Sequence, residues 1–62
     1  MIPELLTPKE AAVFLHISEA QLKGYRMEGT GPPFVRINAR VIRYRVRDLL
    51  AWINDRVEND DN

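Results

Sequence analysis

Two helix-start signals lie so close together that the chain between them can form only a short helix. Residues 7–10 (TPKE) offer a threonine cap, a proline suited to the first helical position and a glutamate that completes a capping box. Residues 18–21 (SEAQ) form a second capping box. The pattern predicts helices over 8–15 and 19–28. His16 falls in the sharp turn between them, where it tolerates a left-handed backbone better than a bulky apolar residue does.

The segment after the second helix first breaks regular structure and then alternates in side-chain character. Gly29 is typical of a helix end, and residues 29–33 (GTGPP) form a loop. Residues 34–37 and 41–45 predict a β-hairpin around a turn at 38–40, where Asn38 accepts a positive φ. We expect one apolar and one arginine-rich face: Val35, Ile37, Ile42 and Tyr44 on the first, and Arg36, Val41, Arg43 and Arg45 on the second.

A last helix is predicted over 47–57. Asp48 favours its N-terminus, and Leu49, Trp52 and Ile53 form an inward stripe that Val57 extends. One domain, 1–57, thus accounts for nearly the whole 62-residue chain, and we expect the acidic tail 58–62 to be disordered. Because the chain has no cysteine, no long apolar segment and no signal peptide, we expect a cytoplasmic protein that does not span a membrane.

Basic residues are concentrated in the middle of a chain whose net charge is zero. From Lys23 to Arg47 there are seven basic residues and a single acid, Glu28, so this stretch has a charge of +6. Six of the seven are arginines, which suit phosphates and base edges better than lysines do. The block therefore favours an anionic partner, nucleic acid above all, over a merely solvated surface.

The order helix, turn, helix, hairpin, helix is that of a winged helix-turn-helix, and its segments resemble a known group. Residues 6–12 (LTPKEAA), Leu15 and residues 17–18 (IS) resemble the opening of excisionase and AlpA-type proteins, which are related to the MerR DNA-binding domain. Residues 31–37 (GPPFVRI) resemble the start of their wing. Residues 43–45 (RYR), 48–49 (DL) and 51–53 (AWI) resemble their closing helix. The resemblance covers residues 5–55.

This resemblance implies a mainly α protein with a hairpin wing that binds double-stranded DNA in a bacterial host cell. It implies an excisionase of a phage or integrative element, which binds attachment sites in several copies, bends the DNA and recruits an integrase. It also admits an AlpA-type transcriptional regulator on the same fold. A third alternative is a protein-interaction module without DNA binding, favoured by the zero net charge and by Gly24, which stands where relatives often have arginine.

The candidate DNA contacts lie on the second helix and on the wing. On the helix they are Ser18, Glu19, Gln21, Lys23 and Arg26, since glutamine can pair with adenine and helix N-terminal amides bind phosphate. On the wing they are Arg36, Asn38, Arg40, Arg43 and Arg45, with Arg40 at the tip best placed for a minor groove. The competing interpretation is a solvated surface, or for Arg26 a side chain that packs beside Tyr25.

The remaining residues do not indicate catalysis. His16 has no partner at metal-binding or catalytic spacing, and we find no nucleophile–base pair or carboxylate pair. We therefore expect no enzyme, cofactor, metal or small-molecule substrate. Val13, Phe14 and Leu50 have two interpretations: they cover the thin core, or they form an exposed patch that contacts a protein.

Overall fold

The computed structural model describes residues 4–58 and contains three helices and three short strands in that range. In chain order they are β1 (Leu5–Leu6), α1 (Pro8–Leu15), α2 (Glu19–Glu28), β2 (Val35–Asn38), β3 (Val41–Arg45) and α3 (Val46–Asp55). The predicted helix-turn-helix with a hairpin wing is confirmed. Of the predicted tail, Glu58 is exposed and irregular, and residues 59–62 lie outside the described range.

Both predicted capping boxes are complete, and α1 and α2 begin and end where the sequence predicts. The Thr7 hydroxyl accepts a bond from the Glu10 amide at 3.1 Å, and the Glu10 carboxylate accepts one from the Thr7 amide at 2.9 Å. Ser18 and Gln21 form the equivalent bonds at 3.0 and 2.9 Å. These bonds satisfy amides that a helix start leaves without partners, so they fix where each helix begins.

The turn between α1 and α2 depends on His16, which adopts the predicted left-handed conformation with φ 61°. Its amide donates to the carbonyl of Val13 at 3.1 Å, and the amide of Ile17 donates to that of Ala12 at 3.0 Å. These bonds satisfy carbonyls at the end of α1 and lead the chain directly into the cap of α2. Gly29, with φ 75°, ends α2 in the same way.

A small apolar core holds the helices against the sheet. Its buried members come from β1, β3 and all three helices: Leu6, Ala11, Ala12, Leu22, Tyr44 and Leu49. The predicted inward positions of Leu22 and Leu49 are confirmed. Ile53, predicted on the same stripe as Leu49, is instead 37% exposed, whereas Trp52 is half-buried and its ring meets that of Tyr25 edge to face.

The sheet contains a strand that the hairpin prediction does not include. β1 pairs antiparallel with β3, Leu5 opposite Arg45 and Leu6 opposite Tyr44, so the strand order is β1-β3-β2. This pairing places Leu6 in the core beside Tyr44. A strand of two residues is too short to show an alternating pattern, so the sequence does not reveal it.

The predicted sorting of hairpin side chains into two faces is right for β3, where Ile42 and Tyr44 face the core, and wrong for β2. Opposite residues of an antiparallel pair share a face, and here Val35 lies opposite Arg43 while Arg36 lies opposite Ile42. Arg36 is therefore on the face of Ile42 and Tyr44, which the core uses. Val35 is on the other face, with Arg43.

A bulge in β2 explains this error. The register shifts between Arg36 and Asn38, so Ile37 is an extra residue of β2 and its side chain is 55% exposed. A shift of one residue moves every side chain beyond it to the opposite face. Asn38 does form the turn, but without a positive φ: its side-chain oxygen accepts the amides of Arg40 and Val41 at 2.8 and 3.0 Å.

The last helix is shifted from its predicted range of 47–57. β3 leads directly into α3, which begins at Val46. The amide of Val46 still donates to the carbonyl of Glu4 at 3.0 Å, next to the pairing of β3 with β1. Arg45 is the N-cap residue, and its side chain makes no cap bond. Arg56 leaves the helical conformation after Asp55, so Val57 lies beyond α3 and is exposed rather than part of the inward stripe.

The end of α3 is fastened to the loop between α2 and β2. The Trp52 indole and an Arg56 guanidinium nitrogen both donate to the Thr30 carbonyl, at 3.3 and 3.2 Å. The Arg56 guanidinium also lies 4.1 Å from the centre of the Trp52 ring, which meets Tyr25 edge to face. The loop that leads from the helices to the wing is thereby held by side chains from both α2 and α3.

Two glycine substitutions are expected to change stability in opposite directions. A Cβ at Gly31 would lie 2.7 Å from the Cβ of Tyr25, whereas a Cβ at Gly24 would meet nothing within 4 Å. Gly31→Ala should therefore lower the free energy of unfolding by about 1–3 kcal/mol. Gly24→Ala should raise it by about 1 kcal/mol, because alanine is the better helix former. Urea unfolding followed by circular dichroism measures both, and equal effects would contradict the close packing at Gly31.

Candidate nucleic-acid interface

The exposed surface of α2 is not basic. Of the predicted helix contacts, Ser18, Glu19, Gln21 and Lys23 are exposed on α2 or its cap. Lys23 is the single basic side chain among the exposed residues of α2, whereas Glu19 and Glu28 are exposed acids. The exposed surface of α2 therefore offers a partner shape and hydrogen-bonding groups more than positive charge.

The capping box limits what Gln21 can offer to a base. Its side-chain oxygen accepts the Ser18 amide at 2.9 Å, so one of the two lone pairs of this oxygen is used and the oxygen is directed at the start of α2, while both N–H groups of the amide remain as donors. Glutamine pairs with adenine by accepting and donating at once. While the capping bond holds, Gln21 is better suited to donate to a base acceptor, such as a purine N7, than to make that bidentate pair.

Small residues leave one part of α2 open. Ala20 and Gly24 are one helical turn apart and exposed, and the space around Gly24 is empty. A shallow groove of about 200 Å³ runs past Gly24, lined also by Gln21, Tyr25 and Glu28. The backbone of α2 can therefore approach a partner surface closely at this point.

Arg26 does not share the exposed surface of Lys23. Its side chain is half-buried, and one guanidinium nitrogen donates to the Tyr44 hydroxyl at 2.9 Å. The guanidinium carbon lies 5.9 Å from the centre of the Phe34 ring. Arg26 thus joins α2 to β3 and to the start of the wing, contacts that helical periodicity within α2 does not reveal.

The wing presents its basic residues in three different environments. Arg36 and Arg40 are exposed, Arg36 on the core side of the sheet and Arg40 at the tip. Arg43 is half-buried and donates to the carbonyl of Ile42 at 2.8 Å. Asn38, itself exposed, holds the turn through its side chain and so fixes the position from which Arg40 projects.

Arg45 forms an ion pair that the sequence pattern does not predict. Its guanidinium contacts both carboxylate oxygens of Asp48, at 2.7 and 3.2 Å. This is the one ion pair among residues 4–58, and so exposed a pair stabilises the fold by at most about 1 kcal/mol. Within that range, the other six basic residues of the block have no carboxylate within 4 Å: Lys23, Arg26, Arg36, Arg40, Arg43 and Arg47.

Val13, Phe14 and Leu50, which the sequence leaves open as core cover or as a protein contact, lie at the surface. Val13 is 69%, Leu50 is 53% and Phe14 is 37% exposed. They do not cover the core, which is made by other residues. Val13 and Phe14 belong to α1 and Leu50 to α3, and their contact with a protein stays a prediction.

A family model described as "Helix-turn-helix domain" matches residues 5–57. The chain belongs to this helix-turn-helix family. No curated protein matches the chain. The family is that of the small excisionase and AlpA-type proteins, so the resemblance is confirmed at this level, and with it a DNA-binding helix-turn-helix protein.

Among residues 4–58, no group of three or more histidine, aspartate or glutamate side chains is arranged to hold a metal ion. Within the same residues, no helix has the length and apolar character needed to cross a membrane.

Removing the charge at the wing tip should weaken DNA binding by a defined amount. Arg40→Gln should make the dependence of log K on log salt less steep by about 0.9 and lower the affinity near 0.1 M salt roughly eightfold, because one cation that displaces counterions from the DNA is lost. Lys9→Gln removes an exposed charge from α1 and is the matched control. Fluorescence anisotropy with a labelled duplex measures both variants, and equal losses would contradict a contact at the wing tip.

Proposed function

We propose that this helix-turn-helix protein is an excisionase, a recombination directionality factor of a phage or integrative element. It binds attachment-site DNA through α2 and the wing, bends it and promotes excision by an integrase. The observation that carries the proposal is the wing: Arg36, Arg40 and Arg43 lie on one hairpin and, within residues 4–58, have no carboxylate partner. The wing follows a helix-turn-helix whose exposed second helix is not basic.

The two elements divide the work of binding. α2 enters the major groove, where Lys23 and the donors of Gln21 reach the duplex, and the small residues Ala20 and Gly24 permit a close approach. The hairpin tip brings Arg40 to the adjacent minor groove, where a narrow groove attracts arginine. The wing supplies most of the electrostatic affinity, and α2 supplies most of the discrimination between sequences.

A single copy binds weakly, and several copies act together. One DNA-binding module of this size buries about 600–1,000 Å² of surface, and α2 contributes one exposed basic side chain. Adjacent copies on an attachment arm add their contacts and repay the cost of bending the DNA. The protein itself carries out no chemistry in this proposal, because the integrase cuts and rejoins the strands.

The first experiment identifies the binding site from random DNA, so it does not require the sequence of the element. Selection from random duplexes yields the preferred sequence, and gel shifts with circularly permuted fragments measure the bend and the number of bound copies. The proposal predicts stepwise binding of several copies and a bent complex. One unbent copy at one site would contradict it and favour the AlpA-type regulator, and no binding to any duplex would favour the protein-interaction module.

The second experiment measures excision directly. A supercoiled plasmid carrying the two attachment sites of the element is incubated with its integrase and the wild-type protein, Arg40→Gln or Lys9→Gln. We expect the wild type and Lys9→Gln to stimulate excision, and Arg40→Gln to stimulate it several-fold less at equal concentration. Excision at the same rate with and without the wild-type protein would contradict the proposal.

A further inference from the structure

Two arginines from different elements converge on the ring of Phe34. The guanidinium carbon of Arg26, from α2, lies 5.9 Å from the ring centre, and that of Arg36, from β2, lies 5.7 Å from it. We propose that these two side chains form a cleft that binds one phosphate of the DNA backbone. The inference rests on DNA binding by this protein, and it assigns a specific ligand to residues that lie apart from the wing tip.

The charge of this cleft is not compensated within the described chain. Neither Arg26 nor Arg36 has a carboxylate within 4 Å among residues 4–58. The Phe34 ring attracts both cations but has no net charge, so the two guanidinium groups lack a counter-charge there. An anion bound to both would supply that counter-charge, and a phosphate matches the planar donors of guanidinium groups.

The cleft is partly prearranged. One nitrogen of Arg26 donates to the hydroxyl of Tyr44, which is fully buried, so the guanidinium is held in place before any ligand arrives. The group has five N–H donors, and this bond uses one of them. An open groove of about 320 Å³ lies on the Arg26 side of the cleft, lined by Arg26, Phe34 and the loop between α2 and β2, and Arg36 stands outside this lining.

The bulge in β2 is what brings Arg36 to this cleft. The shifted register puts Arg36 on the face of Ile42 and Tyr44, towards Phe34, rather than on the outer face with Arg43. Because Phe34 lies between the end of α2 and the start of β2, a phosphate held beside its ring would lie between the major-groove and minor-groove contacts. Such a contact fixes the position of the protein on DNA and carries no sequence information.

The first test compares salt dependence among variants. Arg26→Gln and Arg36→Gln should each reduce the slope of log K against log salt by about 0.9. The fold-loss should be the same on the selected duplex and on a scrambled one. Lys9→Gln, an exposed charge outside the cleft, should leave the slope unchanged. If both cleft variants keep the wild-type slope while Arg40→Gln has a reduced one, the phosphate cleft is contradicted and DNA binding by the protein is not.

A second variant separates phosphate binding from a purely structural role of Arg26. Tyr44→Phe keeps the buried ring and the Arg26 charge but removes the hydrogen bond between them. The cleft predicts that Tyr44→Phe retains the wild-type slope, whereas a structural role predicts that it behaves like Arg26→Gln. Thermal unfolding of all variants, followed by circular dichroism, shows whether each variant is folded at the temperature of the binding measurement.

Duplexes with one neutral methylphosphonate linkage locate the phosphate. A series of duplexes carries this linkage at successive positions of the selected site. At one position it should weaken binding of the wild-type protein and leave binding of the Arg26→Gln/Arg36→Gln double variant unchanged. If the linkage weakens the binding of both proteins equally at every position, the phosphate cleft is contradicted. Failure of the wild-type protein to bind any duplex would instead contradict the proposed function.

Discussion

The fold depends on one tyrosine that is buried in the middle strand of the sheet. Tyr44 is 0% exposed, lies beside Leu6 of β1 and has its ring centre 6.1 Å from that of Phe34. A buried hydroxyl without a partner costs about 1–3 kcal/mol, and Arg26 of α2 supplies the partner. This bond joins the helix-turn-helix to the wing, together with the packing of Leu22 and Tyr44 in one core and the contact of Arg26 with Phe34.

Two separate surfaces remain exposed, one on α2 and one on the wing. The surface of α2 contains small and neutral residues beside Lys23, and the wing has Arg40 at its tip. The ion pair between Arg45 and Asp48 offsets one charge at the base of the wing, so the uncompensated arginines of the hairpin lie nearer its tip. A chain of zero net charge can therefore still present a basic surface, because its basic and acidic residues are segregated.

Local sequence signals predict the helices and the turn between them. The features that the sequence does not reveal depend on contacts between residues far apart in the chain. Both capping boxes, the left-handed His16 and the end at Gly29 depend on residues within four positions of one another, so the sequence contains them in full. The sides of the hairpin depend on a one-residue bulge, which alternation does not show. The position of Arg26 was also missed, because Tyr44 and Phe34 come from other elements.

The most direct test of the account is a nuclear magnetic resonance titration of the ¹⁵N-labelled protein with its selected duplex. The account predicts that the largest amide shift changes fall on α2, on the cleft at Phe34 and on the wing around Arg40. Amides near Val13 and Leu50, on the exposed sides of α1 and α3, should change little. Shift changes concentrated at Val13 and Leu50, or the same changes with a polyanion as with the duplex, would contradict it.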